Sequence, residues 1–418
     1  MKKIVLLLLI CFMGMFIISG CSSDSNCNAR FGTAPVPPEP EPKVISYTGF
    51  YYVNNPLYPD QQSIFLHPYA NIEVVNPMVK GGADELFLAT PDYERFVVYS
   101  KLMQNAVFGT FLDMPLFIPS SYEPYYNYAG NNFYSSFRPI PYENAFYAYP
   151  AVVSSDGGFE YDYRSVSYNY FENGTLCSKQ VALMDEEDSV LISYSPSDKL
   201  LYVSSVDGLK VYSKTGTGSS AVHTLIDAID DLAPVAELDK YDGGIILDML
   251  AAPNASVYIS YMGYIEHDGS MDIRYNVLKL AKVGGEYKFA GNWNLFSKDG
   301  VTGDDISFFL SGPETAASFL RIAEGPEGKI ICTAPAINGV KLLNPANGEI
   351  TTLPAPTGVE LTGLNLYYLS SAYNETTGNI YVLALTGIWE PLAKAPSDIS
   401  FSYGGFPTTG IILEYKYE

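Results

Sequence analysis

Hydrophobic positions along this chain recur in short runs of four to eight residues, rich in Val, Ile, Tyr and Phe and bounded by Gly, Pro, Asn, Asp and Ser. Runs of that length and composition predict β-strands joined by tight turns. One segment reads differently. From Ala221 to Leu238, the residues Val222, Leu225, Ile226, Ile229 and Leu232 have the spacing of one helix face, which ends at Pro234. One short connecting helix is predicted there, and little helix elsewhere.

The strands recur as a unit. Leu191–Ser195, a Pro196-Ser197-Asp198 turn, Lys199–Ser205 and Gly208–Tyr212 read as strand, turn, strand, turn, strand. A second copy runs from Ala252-Pro253-Asn254 through Val257-Tyr258-Ile259 to Tyr275–Leu280. A third has Gly325-Pro326-Glu327-Gly328 before Ile330-Ile331-Cys332, then Gly339–Leu343. The fourth has Thr376-Thr377-Gly378-Asn379 before Ile380-Tyr381-Val382, then Gly410–Tyr415. Aligned on Tyr202, Tyr258, Ile331 and Tyr381, the copies lie 56, 73 and 50 residues apart. Antiparallel meanders repeating at this scale predict an all-β fold, a β-propeller. One such sheet cannot bury both of its faces, so its neighbours must do so.

A turn followed by a Gly-Asn-hydrophobic-Tyr-Val strand resembles the YVTN/NHL-like group of bacterial propellers, over residues 190–418. No WD dipeptide accompanies it, and Trp293 and Trp389 are the only tryptophans. Strand-like runs in Val44–Val53, Ser63–Val75, Glu85–Tyr99 and Phe146–Tyr170 supply further blades, giving six to eight in all with seven favoured. Closure then predicts that Gly410–Tyr417 shares a blade with strands just after Lys43. A separate N-terminal β-domain on a four-bladed ring is the alternative.

The start of the chain carries a different signal. Lys2 and Lys3 precede an apolar run from Ile4 to Ile18, and Ile18-Ser19-Gly20-Cys21 closes it. A basic start, a short apolar core and small residues before a cut site predict a cleaved secretory signal over 1–20. The Ser-Gly-Cys ending resembles the lipobox of bacterial lipoproteins, which implies diacylation of Cys21 and a membrane anchor. Ser22 after that Cys implies, in an organism with two membranes, transfer to the outer membrane. Residues 21–43 then read as a tether. Pro35-Val36-Pro37-Pro38-Glu39-Pro40-Glu41-Pro42 forbids helix and sheet and favours polyproline II, with a reach of roughly 60 Å. Residues 44–418 remain for the propeller.

Net charge is −22, while charged residues make up only 17% of the chain. Phosphate contacts need Lys and Arg, so this balance argues against nucleic acid. Tyr numbers 35, and many fall in a Tyr-rich insert near 119–150. Its residues Tyr122, Tyr125, Tyr126, Tyr128 and Tyr134 offer apolar rings with polar edges, suited to stacking on glycan or docking protein. The favoured reading is that they cover their own loop and the neighbouring blades, as aromatics in long ordered loops usually do.

Signals of catalysis are sparse. His67, His223 and His267 have no metal-binding spacing, and no GxSxG, Walker or dinucleotide loop is present. Asp268–Asp272 and Asp299–Asp305 contain Asp-Gly pairs without DxDxDG geometry, so turn formation outranks calcium binding there. Cys177 and Cys332 read as isolated thiols, with pairing an open alternative. No cofactor or metal is expected. The reading is a lipid-anchored envelope propeller that binds protein or glycan. A propeller hydrolase or lyase acting on polysaccharide is the alternative.

Overall fold

The computed structural model describes residues 43–52, 71–75, 85–92, 95–99, 138–140, 143, 145–148, 151–153, 159–161, 165–172, 175–183, 191–204, 208–302, 320–334, 339–357, 365–387 and 409–418. The signal, the tether, Cys21, His67 and the tyrosines at 122, 125, 126, 128 and 134 lie outside them.

Strand β1 (Ile45–Tyr52) precedes a three-stranded meander of β2 (Asn71–Val75), β3 (Glu85–Asp92) and β4 (Arg95–Tyr99). A four-stranded sheet follows, made of β5 (Arg138–Pro139), β6 (Ala145–Ala148), β9 (Ser165–Glu172) and β10 (Thr175–Leu183). Between its second and third strands lies a separate hairpin, β7 (Ala151–Val153) with β8 (Phe159–Tyr161). Three regular meanders come next. The first comprises β11 (Leu191–Ser195), β12 (Leu200–Ser204), β13 (Leu209–Thr215) and β14 (Val222–Ile229). Its successor comprises β15 (Gly243–Ala252), β16 (Ser256–His267), β17 (Ser270–Val283) and β18 (Glu286–Val301). The third comprises β19 (Arg321–Glu324), β20 (Ile330–Thr333), β21 (Lys341–Asn344) and β22 (Glu349–Thr352). Finally β23 (Asn365–Asn374), β24 (Asn379–Gly387) and β25 (Thr409–Tyr417) pair in order, and β1 adds to β25 as the fourth strand.

This is a β-propeller. The first strands of successive sheets are neighbours: β5 beside β11, then β15, β19, β23 and β2. Six sheets of three or four strands are present among the described residues, together with the two-stranded β7–β8 hairpin.

The blade closed by both ends of the chain bears out the closure expected from sequence. Residues Ile45 to Tyr52 pair with Tyr417 to Ile411 in antiparallel register. The Val44 and Glu418 backbones bond both ways, at 2.7 and 3.2 Å. The residues aligned as repeats also coincide structurally. Tyr202, Tyr258, Ile331 and Tyr381 all lie on the second strand of their blade, and all are buried.

Most of the core lies between blades. Tyr202, Leu209 and Val211 of one blade meet Met249, Val257 and Leu278 of the next. Tyr275 and Val277 then meet Ile330, Cys332 and Leu343, and Ile331 and Leu342 meet Ile380, Leu413 and Tyr415.

The expected helix is a correction. Val222–Ile229 is strand β14, and only Leu232–Val235 forms a helix, α1, capped by Asp231 accepting from the Ala233 N–H at 3.1 Å. The helical spacing has a local cause. The β13–β14 register shifts as Tyr212 pairs with Leu225 and Val211 with Asp227, which leaves Ile226 as the extra residue of a bulge. The bulge leaves Leu225 and Ile226 exposed in succession and breaks the two-residue alternation. Four β-branched residues, Val222, Thr224, Ile226 and Ile229, further favour the strand.

Tyr415 is 1% exposed and meets Tyr47 of β1 edge to face, with ring centroids 5.5 Å apart. Tyr415→Ala should therefore cost about 3–5 kcal/mol, read as a lower urea midpoint at unchanged slope.

Candidate functional site

Three charged side chains meet where the first strands converge. Asp248 interrupts the apolar run Ile246-Leu247-Asp248-Met249-Leu250 and is 3% exposed. A buried carboxylate needs donors on every side, and here the blades supply them. Its Oδ1 accepts from Arg138 Nη2 and from the Met249 N–H, both at 2.9 Å. Its Oδ2 accepts from the Ile322 N–H of the next blade at 3.1 Å. Arg321, 4% exposed, places Nη1 at 3.8 Å from Oδ1. Arg138 Nε donates to the Ile192 carbonyl at 2.9 Å. Strands β5, β11, β15 and β19 are thus joined through one carboxylate and one guanidinium.

A register shift between Ile246 and Asp248 lies immediately before this carboxylate. Hydroxyls repeat the tie from blade to blade. Ser193 Oγ accepts from the Ala251 N–H at 2.8 Å. Ser260 donates to the Leu320 carbonyl at 2.7 Å, and Thr333 to the Leu369 carbonyl at 3.3 Å. Sequence reading missed this cluster. Its signal was a lone Asp and a lone Arg inside apolar strands.

A second cluster fills the joint between the β5–β10 blade and the β11–β14 blade. Lys214, with a side chain only 2% exposed, lies 2.6 and 2.8 Å from the two oxygens of Glu143. It also donates to the Gly216 carbonyl. The Tyr168 hydroxyl donates to Glu143 at 3.1 Å and accepts from the Gly218 N–H at 2.9 Å. The Tyr147 hydroxyl lies 2.9 Å from Nε2 of His223, which sits on β14 rather than on a helix. Burial pushes the hydroxyls of Tyr147, Tyr168 and Tyr194 up from their ordinary range. Burial, followed by the Lys214 and Lys179 charges, lowers the His223 imidazole to about 4. At neutral pH the ring is uncharged, and Nε2 can accept from Tyr147.

The remaining candidates have internal roles. His267 follows Ile265-Glu266 at the end of β16, and its Nε2 lies 3.1 Å from Asp272 Oδ2. Arg274 Nη2 lies 3.3 Å from the same oxygen, and the Gly300 N–H donates to Oδ1 at 2.9 Å. The Gly300 N–H first, and then His267, hold the Asp272 carboxyl below the usual range. Asp299 pairs with Arg274 Nη1 at 2.6 Å. Asp268 and Gly269 form the β16–β17 turn, with Gly269 at φ 77°. Asp272 and Asp299 are therefore engaged by protein cations and an amide. Asp304 and Asp305 lie outside the described residues. Cys177, on β10, and Cys332, on β20, carry no disulfide. Burial raises the Cys332 thiol.

A third feature lies on the outside. Outer strand β14 exposes Val222, Leu225 and Ile226 at 56%, 49% and 46%. Other outer strands expose mainly polar groups, such as Glu286, Lys288, Asn294 and Ser297 on β18 and Ser178 and Gln180 on β10.

No protein-family profile and no curated protein matches the sequence. Among solved structures, the chain is similar to a Lactobacillus plantarum protein at 9% identity, over 76% of this chain and 77% of that one, with a TM-score of 0.38. A chain of a nidogen–laminin complex matches at 9% identity, over 76% and 88%, with a TM-score of 0.34. The β-propeller domain of Nup133 from Vanderwaltozyma polyspora matches at 10% identity, over 66% and 72%, with a TM-score of 0.35. The sheet order, rather than these likenesses, makes the chain a β-propeller.

Two outcomes follow from these clusters. Asp248→Ala leaves buried Arg321 and part-buried Arg138 without their shared carboxylate, and should cost about 3–5 kcal/mol in chemical denaturation. His223 has a folded-state pKa below its unfolded value, so the unfolded chain binds the proton first. Stability is full above about pH 6.5 and falls as pH drops toward about 4. Melting temperatures across that window should fall less in His223→Gln than in the parent protein.

Proposed function

We propose that this chain is an extracytoplasmic lipoprotein, held in a membrane through Cys21, whose propeller binds a protein or glycan partner without catalysing a reaction. The observation that carries the binding reading is the state of the axial carboxylate. Both oxygens of Asp248 already accept from backbone N–H groups, and one also accepts from Arg138. A nucleophile or general acid must exchange bonds with substrate, whereas this carboxylate holds blades together. The apolar β14 edge supports a protein partner in particular, since exposed apolar groups on an outer strand favour association.

The anchor rests on Ile18-Ser19-Gly20-Cys21 and on the Pro-rich stretch after it. Two or more acyl chains on one Cys give firm attachment, where a single chain would hold only reversibly. Ser22 favours the outer membrane if the organism has one.

The alternative is a hydrolase or lyase acting on extracytoplasmic polysaccharide. The convergence of Arg138, Asp248 and Arg321 at the axis is the observation in its favour.

Membrane fractionation with labelled palmitate tests the anchor. The parent protein should carry label and sediment with membranes, and Cys21→Ala should do neither. Firm membrane attachment of the unlabelled variant would sink the lipoprotein reading.

A further inference from the structure

The joint between the β5–β10 blade and the β11–β14 blade holds a histidine at its outer end. Among the described residues the other histidine, His267, is exposed beside the β16–β17 turn. The His223 ring instead faces the opposite blade, with its centroid 5.6 Å from Tyr147 on β6 and 5.2 Å from Tyr168 on β9. Histidine is the side chain that gains charge between neutral and mildly acid pH. One seam of the ring therefore carries a group that responds to that range.

The surroundings of the ring suit only its neutral form. Uncharged, Nε2 can accept from the Tyr147 hydroxyl at 2.9 Å. Charged, both ring nitrogens donate, and the Tyr147 proton must find another acceptor where that side chain is wholly buried. Two cations also lie close. Lys214 on β13 is the cross-strand partner of His223, and Lys179 on β10 reaches the Ser219 and Ala221 carbonyls. Their charges add to burial in holding the imidazole down to about 4. The nearby acids are committed elsewhere, Glu143 to Lys214 and Tyr168, and Glu172 to Ser219. Tyr194 of β11 sets a further ring against Tyr147 and adds no charge.

The inner end of the same joint is tied independently of this imidazole. Arg138 on β5 donates to the Ile192 carbonyl on β11 and to Asp248 on β15. We propose that the joint is an acid-opened seam, in which protonation of His223 parts the two blades at their outer strands while Arg138 holds them at the axis as a hinge. The other joints stay shut. Opening uncovers the Tyr147 and Tyr168 rings, both 0% exposed in the shut joint. The imidazole binds a proton more readily in the open joint than in the shut one. Acid therefore favours opening, over the window from about pH 6.5 down to about 4. Opening of one joint is a sub-global event, separate from loss of the whole fold. It depends neither on the lipid anchor nor on the ligand.

Hydroxyl-radical footprinting of the full-length protein tests the seam, because it reports exposure one tyrosine at a time. Between about pH 7.5 and about pH 4.5, dose-normalised oxidation of Tyr147 and Tyr168 should rise several-fold. Tyr202, Tyr275 and Tyr381, each no more than 1% exposed elsewhere in the ring, should stay protected. His223→Gln should abolish the rise. Lys179→Gln removes one charge that opposes protonation in the shut joint, and should shrink the rise. A parallel rise in all five tyrosines would mean loss of the whole fold, and would overturn the seam. So would the absence of any rise, or a rise undiminished in His223→Gln. If His223→Gln exposes Tyr147 already at neutral pH, Lys179→Gln decides, and an undiminished rise there overturns the proposal.

Discussion

A four-stranded antiparallel sheet with apolar residues on both faces is unstable by itself, and everything in this molecule follows from supplying each face with a neighbour. The buried clusters bridge successive blades, so a blade has its core only in company. An open row of such blades would leave an apolar face at each end. Pairing of β1 with β25 makes the last blade out of both ends of the chain, and couples its integrity to residues more than 360 positions apart. Stability here is a property of the assembled set of sheets.

Apolar packing tolerates sliding, and polar ties at the axis oppose it. Asp248 receives donors from three strands, while Ser193, Ser260 and Thr333 repeat a hydroxyl-to-backbone bond from one blade to the next. A buried carboxylate with misplaced donors costs several kcal/mol, so the cluster favours one mutual position of the blades. The Lys214–Glu143 pair does the same for one outer joint, where Tyr168 links the pair to the Gly218 amide. Charge in this interior fixes geometry, and its arrangement leaves little of the axial carboxylate free for chemistry.

Much of the architecture was legible in the residues. Strand-turn-strand units aligned on Tyr202, Tyr258, Ile331 and Tyr381 proved to be second strands of successive blades, because a buried strand flanked by two others needs large or β-branched groups on both faces. The closing strand was legible too, since an unpaired apolar run at each end of a propeller has one place to go. The stretch from Val222 to Ile229 misled because a bulge spaces apolar residues as a helix does. The axial cluster was hidden for a different reason. Arg138, Asp248 and Arg321 lie far apart in sequence, and only the position of each strand around the axis brings them within bonding distance.

The closing blade also sets how the molecule responds to pulling. Val44 and Glu418 bond to each other beside the Gly378 turn, so residues 43 and 418 lie at the same face. A load applied through residue 43, directed away from that face, acts along β1 rather than across it. The ladder from Ile45 to Tyr52 is then loaded in shear, and the bonds within a segment share the force instead of opening one after another. The register shift between Tyr47 and Gly49 divides that ladder into a short segment and a longer one. The first three residues can therefore yield while the remaining four keep the blade, and the propeller behind it, intact.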